Sequence, residues 1–71
     1  MNIPSRPMIR AMANTLCDWE IDCLNPSMTT IVLTLHRAGF FIQEIETNVD
    51  DAIMMAAIRQ RNDRIKSYEE T

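Results

Sequence analysis

The sequence predicts an all-α fold, a compact bundle of three main helices. One Gly and three Pro in 71 residues leave too few turn residues for an all-β domain of this length. The apolar residues recur at helical spacing, and the readable boundaries between segments are typical of helix caps. Because so short a chain lies near the lower limit for independent folding, we expect a single helical domain over 1–71.

An extended lead-in over 1–6 precedes the first predicted helix. Pro7 suits the first turn of a helix, where its missing N–H costs nothing, and Ser5 can serve as a cap nearby. The helix is predicted to run from about Pro7 to Asp22, and Trp19 is expected to be buried in its apolar stripe. The stripe comprises Met8, Met12, Leu16, Trp19 and Cys23.

The second helix is predicted from its two ends. Asn25 is a favourable N-cap, and Pro26 suits the first helical position behind it. The apolar spacing continues over 28–38. Gly39 then fits the left-handed position that ends many helices, with Phe40 folding back on the last turn.

A hairpin is the alternative for this region. The run 29–34 is rich in β-branched residues, which suit a strand, and it could pair with 40–46 in an α+β fold. The caps on both sides of the run favour a helix over a hairpin at 29–46.

The third helix is predicted after a short apolar segment, 41–46, which could form a short extra helix. Thr47 or Asn48 is expected to cap the third helix, and two aspartates follow in its first turn, where carboxylates suit the helix dipole. The last residues, 67–71, are expected to fray.

The charge balance disfavours a nucleic-acid binder. Ten Asp and Glu against seven Lys and Arg give a net charge of −3, whereas phosphate binding favours a basic surplus. A small DNA-binding transcriptional regulator remains the alternative, using the turn between helices two and three and the Arg-rich end at 59–66. In a helix-turn-helix, the position four before the turn glycine must be small, but here it is Leu35.

No residue pattern predicts catalysis, a metal or a cofactor. His36 is the only histidine, and it lies at a helix end without the partners that a catalytic group needs. In a continuous helix, Cys17 and Cys23 would be about 240° apart around the axis and about 9 Å apart along it, beyond disulfide reach. Their spacing also fits zinc poorly. We therefore expect no enzyme.

The expected location is the cytoplasm. The sequence shows no apolar stretch typical of a signal peptide and none long enough to span a membrane. Two cysteines beyond reach of one another are typical of thiols in a reducing compartment.

The third helix carries more apolar surface than one side of a small bundle can use. One apolar face includes Ala52 and Ala56, and the other is formed by Met54, Ala57, Ile58, Ile65 and Tyr68. If 41–59 forms one helix, steps of 3, 4, 3 and 4 residues create a heptad seam of Ile42, Ile45, Val49, Ala52 and Ala56. The leading hypothesis is a protein–protein interaction module that regulates or inhibits a partner protein through this helix, as a homodimer. The predicted interaction surface is Ile42, Ile45, Val49, Ala52, Ala56 and Arg59.

Overall fold

The computed structural model describes residues 3–69, and the side chains of 3–66. In this range the chain forms three helices: α1 at Arg6–Asp18, α2 at Met28–Arg37 and α3 at Ile42–Glu69. No strand occurs among the described residues, so the all-α bundle is confirmed and the hairpin at 29–46 is wrong.

The core lies between the three helices, and the packing of α1 against α3 is the most extensive. The core is built from aliphatic and small side chains at helical spacing, so each helix buries one apolar stripe. The buried apolar residues are Met12, Ala13, Leu16, Cys23, Ile31, Leu35, Ile45, Val49, Ala52 and Ala56.

Helix α1 ends four residues earlier than predicted, at Asp18 rather than Asp22. Glu20 adopts a left-handed backbone conformation with φ of 58°. The N–H of Ile21 donates to the Leu16 carbonyl at 2.9 Å, which closes a Schellman motif. Trp19 therefore leaves the apolar stripe and is 51% exposed, so its predicted burial is wrong. The residue in the left-handed position at the end of α1 is thus a Glu and not the usual Gly.

Helix α2 begins at Met28 with Ser27 as its N-cap residue, so the predicted cap at Asn25 is wrong. Its C-terminus is as predicted. Gly39 has φ of +106°, and the N–H of Phe40 donates to the Leu35 carbonyl at 3.1 Å in a Schellman motif.

Helix α3 starts at Ile42, so residues 42–46 of the segment 41–46 belong to its first turns and do not form a separate short helix. The Glu44 carboxylate accepts the N–H of Phe41 at 3.0 Å, one half of a capping box. The predicted cap residues lie inside the helix. Thr47 and Asn48 each donate a side-chain hydrogen bond to the carbonyl four residues earlier, at 2.9 and 2.8 Å.

The length of α3 determines the shape of the molecule. Its 28 residues span about 42 Å at 1.5 Å per residue, and the longest dimension of the chain is 46 Å. The other helices have only 13 and 10 residues, so the C-terminal part of α3 projects past them. The helix continues to Glu69, whereas residues 70 and 71, like the side chains from 67 onward, lie outside the described residues. The frayed tail at 67–71 stays a prediction.

The lead-in is shorter than predicted, because Arg6 already belongs to α1. Ser5 is the N-cap residue of α1, but its side chain makes no capping hydrogen bond. Its N–H instead donates to Asn48 Oδ1 in α3 at 2.8 Å. This bond holds the start of α1 beside α3.

Candidate functional site

The structure places most of the predicted heptad seam inside the bundle. Ile45, Val49, Ala52 and Ala56 are all buried in the core that α3 shares with the other helices. Small residues at two of these positions, and Ala13 in α1, allow the backbones of α1 and α3 to approach closely. This seam is therefore an intramolecular contact, and its prediction as a partner surface is wrong.

The two ends of the predicted surface remain accessible. Ile42 is exposed at the start of α3. Arg59 is exposed as well, and its guanidinium donates a hydrogen bond to Asn14 Oδ1 in α1. Arg59 thus helps to join α3 to α1 at the edge of the core.

The opposite side of α3 carries the apolar residues that no helix covers. Met54, Ile58 and Ile65 are 62%, 55% and 49% exposed. Spacings of four and seven residues place them along one side of the helix. We call these three residues the outer stripe. They belong to the second apolar face that the sequence indicates; the side chain of Tyr68, another member of that face, lies outside the described residues.

An open groove of about 520 Å³ lies beside the outer stripe, between the start of α1 and the middle of α3. Ile9 and Met55, both partly buried, contribute apolar surface to it. The groove is lined by Pro4, Arg6, Ile9, Asp51, Met54, Met55, Ile58 and Arg59. The outer stripe therefore continues sideways into a larger apolar surface with charged groups at its edges.

Charge is distributed unevenly along the exposed side of α3. Its first ten residues, 42–51, carry acidic side chains and no basic one, and Asp50 and Asp51 are exposed. Over 59–66 the helix carries Arg59, Arg61, Arg64 and Lys66, with a single acid, Asp63. The helix is thus acidic in its first half and basic in the later half.

This arrangement does not favour the DNA-binding alternative. Residue steps of 2, 3 and 2 separate the four basic residues of 59–66, and at 100° per residue they are spread around the helix instead of sharing one face. The helix that follows the α2–α3 turn begins with carboxylates, which phosphates would repel.

The Cys23 thiol is poorly suited to act as a nucleophile. Cys23 is buried, and burial, followed by the neighbouring Cys17, raises the pKa of its thiol. A raised pKa reduces the thiolate fraction and with it nucleophilicity. Within 3–66, no group of three His, Cys, Asp or Glu side chains could hold a metal ion together.

Gln60 makes two hydrogen bonds that secure a loop, a role that the sequence does not indicate. Its side-chain carbonyl accepts the N–H of Cys23 at 2.9 Å, and its amide donates to the Ile21 carbonyl at 2.8 Å. Both partners lie in the loop between α1 and α2. The contact holds this loop against α3 where the projecting part of α3 begins.

No helix among the described residues is long and apolar enough to cross a membrane. The chain matches no protein-family model, no curated protein and no solved structure. Its own surface is thus the basis for assigning a function, and the outer stripe of α3 is the candidate site.

Proposed function

We propose that this chain is a protein–protein interaction module that binds an α-helix on the outer stripe of α3. The observation that carries the proposal is the alignment of Met54, Ile58 and Ile65, each about half exposed or more, along one side of a helix whose other side is already buried. Exposed apolar residues that form a continuous surface are typical of interaction sites, whereas single ones are ordinary.

The surface is suited to a helical partner. The stripe runs along α3. An amphipathic helix lying beside α3 could therefore contact all three residues through apolar residues of its own that are spaced three and four apart. Complete burial of an Ile or Met side chain contributes about 1.5–3 kcal/mol, and about half of that remains to be gained at each of these positions. Binding of this kind blocks the partner's helix, which is how the module would regulate or inhibit the partner.

A matched pair of variants tests the proposal by comparative capture from cells of the source organism. Ile58→Glu places a charge in the outer stripe, and Leu33→Glu makes the same change in charge on α2 at a residue of similar exposure, 51%. We expect wild type and Leu33→Glu to retain a protein that Ile58→Glu loses. Equal retention by both variants would contradict the proposal.

A further inference from the structure

We propose that the helix on the outer stripe is α3 of a second copy of this chain, in antiparallel orientation. This inference rests on the proposed function, because it names the partner helix of the same surface. It is carried by the order of apolar and charged residues along the exposed side of α3.

The exposed side of α3 has a coiled-coil spacing of its own. Asp51, Met54, Ile58, Arg61 and Ile65 follow steps of 3, 4, 3 and 4, the spacing of alternating a and d positions. All five are exposed, unlike Ile45, Val49, Ala52 and Ala56 on the other side of the helix. The chain therefore presents a second seam that no other part of the described structure occupies.

A twofold axis at the level of Ala56 makes this seam complementary to itself. Residues equally far before and after Ala56 then face each other across the two copies. Met54 lies opposite Ile58 of the second copy, and the symmetry repeats the contact with the roles exchanged. The centre of the interface is therefore apolar and consists of two identical contacts between Met54 and Ile58.

The charges fit the same register. Asp51 lies opposite Arg61 of the second copy, and at the flanking position Asp50 lies near Arg64. All four residues are exposed and each pair occurs twice. A parallel pair in register would instead place Asp51 beside Asp51 and Arg61 beside Arg61. The division of α3 into an acidic first half and a basic later half thus favours the antiparallel orientation.

The ends of the seam agree with this register. Ile65 lies opposite Thr47 of the second copy, and Thr47 lines a depression on the surface together with Ile3, an exposed residue of the lead-in. The projecting end of one α3 would therefore cover the lead-in of the other copy. Two apolar residues that are exposed in one chain would be covered by this contact.

Sedimentation of the full chain at high micromolar concentration is the first test. We expect wild type and Leu33→Glu to form dimers and Ile58→Glu to be monomeric with an unchanged far-UV circular dichroism spectrum. A monomeric wild type overturns the inference. The proposed function then stands if Ile58→Glu still loses the captured protein, and it fails as well if Ile58→Glu and Leu33→Glu retain it equally.

Charge exchange tests the orientation. Asp51→Arg and Arg61→Asp each place like charges opposite one another twice per dimer, so each should raise the dissociation constant on the order of tenfold. The double variant exchanges the two charges and should restore the wild-type constant. Single variants that dimerise like wild type, or a double variant no tighter than the singles, would overturn the antiparallel register.

Discussion

The two apolar faces of α3 have the same spacing and different surroundings. On the inner face, Ile45, Val49, Ala52 and Ala56 are covered by α1 and α2. On the outer face, Met54, Ile58 and Ile65 are exposed. The inner face has small residues at the helix contact, whereas the large apolar residues Met54 and Ile58 of the outer face lie between an acid, Asp51, and a base, Arg61. Side-chain size and the flanking charges, more than periodicity, distinguish a contact within the chain from one available to another chain.

The largest expected effect is on the inner face. Ala56 is fully buried, so Ala56→Glu buries an unpaired carboxylate at a cost of several kcal/mol, comparable with the whole stability of so small a domain. We expect the variant to be unfolded by circular dichroism at 25 °C, a temperature at which most small domains are folded.

The matched change on the outer face is Met54→Glu. At a concentration low enough for wild type to be monomeric, we expect it to change the free energy of unfolding by less than about 1 kcal/mol, as most surface substitutions do. A folded Ala56→Glu, or a Met54→Glu variant as unstable as Ala56→Glu, would mean that the two faces are wrongly assigned.

An intermediate effect is expected at the polar edge of the inner face. Gln60→Ala removes both hydrogen bonds to the α1–α2 loop and leaves the N–H of Cys23 and the carbonyl of Ile21 without that partner. We expect a loss of about 1–3 kcal/mol in the free energy of unfolding, measured by urea denaturation. Gln43→Ala, at an exposed position in the first turn of α3, is the control and should cost far less. Equal losses would show that Gln60 does not secure the loop.

Smaller effects than that of Ala56→Glu are expected at the C-terminal ends of α1 and α2. Glu20→Gly should raise the free energy of unfolding by about 0.5–1 kcal/mol, because Gly adopts the left-handed conformation without the cost to Cβ. Gly39→Ala should lower it by about 1 kcal/mol. An added Cβ at Gly39 meets no atom within 4 Å, so the loss reflects the backbone alone. Thermal melts measure both changes, and opposite signs from those expected would contradict the two Schellman motifs.

The same two helix ends explain which parts of the fold the sequence predicts. Gly39 marks the end of α2 because glycine is favoured at a left-handed position, and this end is confirmed. Glu20 takes the same position in α1 without any such preference, so the sequence does not indicate that α1 ends before Trp19. Because the predicted helix continues to Asp22, it includes Trp19 in the apolar stripe, and the predicted burial of Trp19 is wrong for this reason.

The candidate site was only partly predictable for a different reason. The heptad spacing from Ile42 to Ala56 is correct for a continuous helix, and α3 is continuous there. Spacing does not specify whether α1 or another chain covers the seam, since that depends on how the helices pack. The sequence does indicate the second face with Met54, Ile58 and Ile65, but only the packing of α1 and α2 leaves it exposed.

Pairing of the outer stripe, and not of the inner face, with α3 of a second copy is tested most directly by a dilution series followed in ¹⁵N–¹H correlation spectra. As concentration rises, we expect amide shifts to change along α3 from Asp51 to Ile65 and to remain constant in α2, at Met28–Arg37. The affected residues should be centred near Ala56, as the twofold axis requires. Changes confined to α2, or shifts that do not depend on concentration up to the high micromolar range, would contradict this pairing.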